Sequence, residues 1–499
     1  MSKLHLRVAV FLTGMTVMAL EIIGSRMMAP YFGTSIVVWT SLIGIVLASL
    51  SIGYYVGGKV ADRRPEKSIL SNIIIFASLY IVVTAIFKDP VLFFVSNVLK
   101  DLRFSSFMGA SLVLGLPSFL LGMVTPFSIK IATQDIKSIG QSAGNLYAIS
   151  TLGSIFGTFL AGFVLISVLG HTNILILISA ALLVAAVLVL GRVSFFHITV
   201  AVLIVAAFFI SRQGIEDLKL AGSYDVDTLY SRIRIFESKD PATSRDIRLM
   251  VFDPKLTQSA MFLEGEGLVL DYTKYFRLGG YFKHDLKRAL MIGGAAYSYP
   301  KDFVNQFPNS SMDVVEIDPA LTDLARKYFS LGDNDRLAIF HEDARTFLNR
   351  EAVFGRSRYD VVYIDAYNSA GSVPFQLTTK EAIGKIHSLL GADGVVLVNM
   401  ISSIDGDTGR FLRAEYRTYK TVYDQVYLFG VQSLDSNVVQ NIILVAIKGN
   451  KVPDFVGTNA EISEYLGHRY TSEVAGDMLV LVDDYAPVDE YLMPVAENL

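Results

Sequence analysis

Four short apolar runs between Arg288 and Asn368 end in residue types that hold a nucleoside: RALMIGGAAYS, MDVVEIDP, LAIFHEDA and YDVVYIDAYN. Gly293 and Gly294 close the first run, where a missing β-carbon lets the backbone approach a ligand. Glu316 follows about 20 residues later, the spacing at which an acid accepts hydrogen bonds from ribose hydroxyls. Asp343-Ala344 ends the third run and offers an acceptor to an exocyclic amine such as adenine N6. Asp365 ends the fourth and faces the reaction zone, where a carboxylate can take a proton. The glycine pair and Glu316 also fit a nicotinamide dinucleotide. Taken singly, each acid is as readily a cap or turn residue. Asp318, directly before Pro319, reads as a helix cap.

These residues need parallel strands beneath them. Continuous apolar runs are what parallel strands buried on both faces look like. Helical stretches alternate with them at 302–307, 319–330, 344–350 and 379–390. GVVLVNM (394–400) predicts a fifth strand, and 426–432 and 441–449 predict two antiparallel ones. The fold class for 287–499 is therefore a Rossmann-like, methyltransferase-type α/β domain. From 223 to about 270 the period changes to two, which predicts a small antiparallel β subdomain over 223–286. A short helix over 271–282 would lead out of it.

The remaining residues are of another kind. Of 499 residues 52% are hydrophobic and only 18% charged, with mean hydropathy +0.46. The apolar excess lies in residues 1–211, which predict a multi-span α-helical membrane domain of seven spans: 7–29, 36–58, 69–87, 106–130, 143–169, 172–191 and 194–211. Segment 88–104 is expected at the interface and 212–220 as a polar linker. Gly153 and Gly157 suit close helix packing. Pro117 and Pro126 are expected to kink the fourth span. Glu21 and Arg26 lie in the first, either facing a cavity or, for Arg26, snorkelling at the helix end. The loop Gly57-Gly58-Lys59-Val60-Ala61-Asp62-Arg63-Arg64 resembles the short cytoplasmic loop of major-facilitator transporters. A net charge of −4 and the lack of basic-aromatic runs argue against nucleic acid. There is no cysteine, which excludes disulfides and thiolate metal sites. No histidine–carboxylate cluster suggests a metal.

Lys3, Arg7, Lys59, Arg63, Arg64, Lys67, Lys130 and Lys137 fall on one side of these spans, which the positive-inside rule makes cytoplasmic. Seven crossings would then put the C-terminal domain outside. S-adenosyl compounds are made inside, so the expectation is an integral protein of the cell inner membrane with a cytoplasmic catalytic domain.

The order β subdomain, Gly-Gly, Glu-x-Asp, Asp-Ala, Asp-x-x-Asn resembles spermidine synthase and related polyamine aminopropyltransferases over about residues 224–450, in the layout of that family's membrane-fused branch. The resemblance implies transfer of an aminopropyl group from decarboxylated S-adenosylmethionine to a small amine, without a metal. It implies that Gly293, Gly294, Glu316, Asp343 and Ala344 bind the donor and that Asp365 is the catalytic acid. Tyr230 and Tyr275 match the family's substrate tyrosines. A homo-oligomer, a dimer, is the expected assembly, with the lipid bilayer as the other partner.

Departures narrow that expectation. The family's Gly-Gly-Gly-Asp-Gly is Gly293-Gly294-Ala295-Ala296-Tyr297, so the acid facing the donor's ammonium is Ala296. The acid gripping the acceptor's far ammonium is Asn368, the glutamine expected after Tyr230 is Ser231, and the residue after Tyr275 is Phe276. Tyr297 and Tyr367 add aromatic surface for a cation. In LVDDYAPVDEYL (480–491), Asp483, Asp484 and Tyr485 would either close over the crevice and restore charge or dock as a terminal turn. Two alternatives stay open: an S-adenosylmethionine-dependent methyltransferase acting on an amphiphilic substrate, and a non-catalytic nucleoside or polyamine sensor regulating a transporter-like membrane domain.

Overall fold

The computed structural model describes residues 3–133, 139–253, 256–353, 358–367, 372–450 and 452–498. The chain divides into two compact units, Met1–Ile233 and Arg234–Leu499.

Among the described residues of the first unit, seven helices are long and apolar enough to cross a membrane: Lys3–Phe32, Ile36–Arg63, Lys67–Val98, Leu102–Ala132, Ile139–Val168, His171–Leu190 and Phe195–Leu220. The first packs on the fifth backbone to backbone. A β-carbon on Gly153 would lie 2.2 Å from the Phe11 carbonyl oxygen, and one on Gly157 equally close to that of Met15. The fourth continues through both prolines, with a π-helical stretch at Ser111–Gly115 just before Pro117. A wider turn there accommodates the missing donor.

Two segments differ from expectation. Residues 88–98 continue the third helix, and 212–220 continue the seventh. Lys88 and Asp89 stay helical because their charges are met by partners far along the chain. Asp89 accepts from Arg232 at 2.8 Å and Tyr31 at 2.9 Å, and Lys88 donates to Asp89 at 3.2 Å and Thr172 at 2.9 Å. Asp225 binds the other edge of Arg232 at 2.6 Å. Arg26 donates to the Thr228 carbonyl at 3.3 Å rather than snorkelling.

Strands β1 (Tyr224–Asp227), β2 (Arg232–Lys239), β3 (Asp246–Asp253) and β4 (Leu256–Phe262) form a four-stranded sheet in that order, with β2–β3 and β3–β4 antiparallel. Two short helices follow, Asp271–Tyr275 and Leu278–Phe282, where a single one was predicted.

The larger sheet has eight strands in the order β12-β10-β11-β9-β8-β5-β6-β7. Strands β5 (Arg288–Ile292), β6 (Ser311–Glu316), β7 (Leu337–His341), β8 (Tyr359–Ile364) and β9 (Leu390–Ser402) are parallel. Strands β10 (Gln425–Gly430) and β11 (Gln440–Ile447) run antiparallel, and β12 (Arg469–Tyr470) closes the edge. The domain is Rossmann-like, with a mixed sheet. Its two faces are covered by separate apolar layers, one including Phe347, Ile386 and Phe411, the other Phe276, Tyr299 and Phe303. The order reverses between β5 and β8, and ligands of doubly wound sheets bind outside the carboxyl ends at such a point.

Candidate active site

Gly293 sits at that reversal with φ +92°. A β-carbon there would lie 2.2 Å from the Asp365 carbonyl oxygen. The close approach arises because Asp365 N bonds Ile292 O at 2.9 Å while Gly293 N bonds Val315 O at 3.0 Å. Only glycine lets β5 hand the chain between its two neighbours. Ala295 and Tyr297 also have left-handed backbones, at φ +44° and +57°. The loop thus holds alanine and tyrosine in a conformation that glycine favours, at a cost of about 1–2 kcal/mol each.

Glu316 ends β6, buried. Its carboxylate accepts from Gly294 N at 2.9 Å, Ala295 N at 3.1 Å and Asp318 N at 3.0 Å. A carboxylate has about four acceptor sites, so these bonds leave capacity for one hydroxyl. Burial pushes its pKa up, and the three backbone donors oppose that shift. Asp318 caps the helix Pro319–Tyr328, accepting from Ala320 N at 3.0 Å. Asp343, half-buried, accepts from Thr346 N at 2.9 Å at the start of the helix Ala344–Val353, whose first residue is the half-buried Ala344.

Asp365 follows β8 and lies half-buried on a cavity of about 450 Å³. Tyr272 Oη donates to its Oδ2 at 2.8 Å, and Asn399 Nδ2 to its Oδ1 at 2.9 Å. Asn399 is itself oriented, because its Oδ1 accepts from Asn441 Nδ2 at 2.9 Å. Burial raises the pKa of Asp365, and the bonds from Asn399 and Tyr272 work against the rise. Burial, followed by the charge of Asp365, holds Tyr272 far above the ordinary phenol, so it remains a donor. The cavity is also lined by Gln258, Tyr367, Gln432 and Asn441. Its volume is that of a small-molecule site. The chemistry on offer is a carboxylate of raised basicity, held by two neutral donors, among amides and phenols.

Of the remaining candidates only Tyr367 lines this cavity among the described residues. Tyr275 is buried with its hydroxyl 2.6 Å from His468 Nδ1, and Tyr272, one helical turn earlier, reaches Asp365 instead. Tyr297 is fully buried. Its ring lies against Gly294 and its hydroxyl 2.7 Å from Thr322 Oγ1, so it contributes no surface to the cavity. Tyr367 does line it, accepting from Ile401 N at 2.7 Å. Tyr230 belongs to the first unit and is 47% exposed. Asp484 and Tyr485 are exposed in a turn closed between Val482 and Tyr485. The residue that docks this turn is Asp483, which accepts from Arg345 at 3.0 Å and Thr379 at 2.6 Å. Asn368 lies outside the described residues. Sequence reasoning passed over Tyr272, Asn399 and Asn441. Asn399 carried a usable signal, a lone amide within the apolar run of β9, whereas Asn441 follows Gln440 at the start of β11.

Residues 275–428 match the family described as "Spermine/spermidine synthase domain". The C-terminal unit is spermidine synthase-like. A polyamine aminopropyltransferase of Vibrio vulnificus is 27% identical over 219 residues, 43% of this chain and 69% of that protein. A probable polyamine aminopropyl transferase of Bifidobacterium longum is 22% identical, over 42% of this chain and 45% of its own length. An N-terminal histidine N-methyltransferase of Emericella nidulans is 32% identical over 143 residues, 28% of this chain and 24% of that one. This chain thus spans less than half of the latter two. A probable spermidine synthase structure from Corynebacterium glutamicum covers 54% of this chain and 98% of its own, at 21% identity and TM-score 0.44.

Proposed function

We propose that this spermidine synthase-like chain is a membrane-anchored transferase that moves an aminopropyl group from decarboxylated S-adenosylmethionine to an amine. The observation that carries the reading is Asp365, held by Tyr272 and Asn399 on a cavity beside the Gly293 turn. Bound donor supplies a carbon activated by a sulfonium. The acceptor nitrogen forms a bond to that carbon as the carbon–sulfur bond breaks, leaving methylthioadenosine. The nitrogen must shed a proton, and a carboxylate whose pKa is raised by burial is suited to take it. Glu316 has room for a ribose hydroxyl, and Asp343 and Ala344 at the end of β7 would border the adenine. Positioning supplies much of the remaining rate. In this reading the seven apolar helices anchor the enzyme in the inner membrane, the catalytic unit is cytoplasmic, and the protein is a dimer.

A second reading is transfer of a methyl group from S-adenosylmethionine to an amphiphilic substrate. It is favoured by the methyltransferase among the relatives and by Ala296 where an acid would face the donor's ammonium. Incubating the full-length protein with each donor and a panel of amines separates the two. Methylthioadenosine formed only in the presence of an amine supports the first reading, and adenosylhomocysteine supports the second. Tight nucleoside binding with neither product contradicts both.

A further inference from the structure

Glu415 is a buried carboxyl that the reaction does not use. It lies on the helix Arg410–Lys420, on the same stripe as buried Phe411, Leu412, Thr418 and Tyr419. It is 3% exposed, and its Oε2 has no hydrogen-bond partner. Packing alone calls for an apolar residue there, because a buried polar atom without a partner is costly. Burial drives its pKa well above the ordinary carboxyl value.

What Glu415 lines is a small cavity of about 20 Å³, room for one water-sized group. An ammonium head is that size. The rings of Tyr367, Phe411 and Tyr419 also line it, and aromatic faces attract cations. Tyr367 and Asn399 line this cavity and the larger one that holds Asp365. Two carboxyls therefore occupy adjoining cavities with a common wall. The other acids bordering the larger cavity are engaged in the open: Asp271 pairs with Lys274 at 2.7 Å, and Asp240 accepts from Thr243 N at 3.0 Å.

We propose that Glu415 receives the second ammonium of a diamine acceptor whose nucleophilic nitrogen lies at Asp365. This rests on the transferase reading and deepens it. The helix Arg410–Lys420 would thus supply, through Glu415, the negative charge that the resemblance leads one to expect at Asn368. An arriving ammonium brings the donor that Oε2 lacks, and the carboxyl gives up its proton to solvent as the ion pair forms.

The test is binding to the full-length detergent-solubilised protein, comparing 1,4-diaminobutane with 1-aminobutane, which has the same carbon chain and one ammonium. The native protein should prefer the diamine by at least about tenfold, the scale of one charge-assisted hydrogen bond. Glu415→Gln should abolish that preference and leave methylthioadenosine affinity unchanged. Glu415→Asp, which keeps the charge, should retain part of it, and it replaces the glutamine variant if that one loses methylthioadenosine binding. A native protein that binds both amines alike, or a glutamine variant that still prefers the diamine, overturns the proposal. A Glu415-dependent preference without turnover of any amine would sink the transferase reading and leave this site standing.

Discussion

Tyr272 Oη lies 2.8 Å from Asp365 Oδ2 and donates to it, joining the short helix Asp271–Tyr275 to the end of β8. The bond stabilises the ionised carboxylate against the burial that raises its pKa. Tyr272→Phe should push that pKa higher still. In the proposed reaction the ionised form is the active one, so activity should fall as pH drops through the pKa. The acid limb of kcat/KM should therefore move to higher pH, with a loss of about tenfold at neutrality. An unchanged acid limb would show that Tyr272 does not act through Asp365.

The loop after β5 gives two substitutions of opposite sign. Ala295→Gly relieves a left-handed alanine at φ +44° and should stabilise the protein by about 0.5–1 kcal/mol, once the greater freedom of glycine in the unfolded chain is subtracted. Gly293→Ala places a methyl 2.2 Å from the Asp365 carbonyl oxygen and should both destabilise the fold and abolish nucleoside binding. Thermal melting and nucleoside titration check the pair. Equal behaviour of the two variants would contradict the assignment.

Glu415 makes stability depend on pH in a known direction. Burial raises its folded pKa well above that of an ordinary carboxyl, so as pH rises the folded state keeps a proton that the unfolded state has lost. Stability from this group is fully present below about pH 4.5 and declines as pH rises. Glu415→Gln cannot ionise. Its melting temperature should match the native protein near pH 4 and exceed it increasingly towards pH 7.5. A difference that stays constant with pH would contradict the buried neutral carboxyl.

If each of the seven helices of spanning length among the described residues crosses a bilayer, residues 1 and 499 lie on opposite faces of it. Reporter fusions at residues 1 and 499 should give opposite signals, and like signals would mean that one helix does not cross. A cytoplasmic catalytic unit then requires an external N-terminus, against the charge bias of Lys59, Arg63 and Arg64.

The strand ends were legible because parallel strands buried on both faces are written as unbroken apolar runs, and Gly293, Glu316, Asp343 and Asp365 interrupt them. The partners of Asp365 were not. Tyr272, Asn399 and Asn441 come from a helix and two strands far apart in the chain, and no local pattern joins them. Family order selected Tyr275, yet on a helix the residue three positions earlier shares its face, and Tyr272 is the one that reaches the carboxylate. Residues 88–98 read as a linker because Lys88 and Asp89 are charged, yet they continue the third helix, and the Arg232 that pairs with Asp89 lies 143 residues away. Tyr297 looked like ligand surface, and its φ of +57° with its ring under Gly294 could not be read from composition.

The account stands most directly on proton transfer at Asp365. With decarboxylated S-adenosylmethionine and a diamine, the native protein should release methylthioadenosine in a single turnover. Asp365→Asn should bind the nucleoside as tightly and release it at least about a hundredfold more slowly. Methylthioadenosine formed at the native rate by Asp365→Asn would contradict the account.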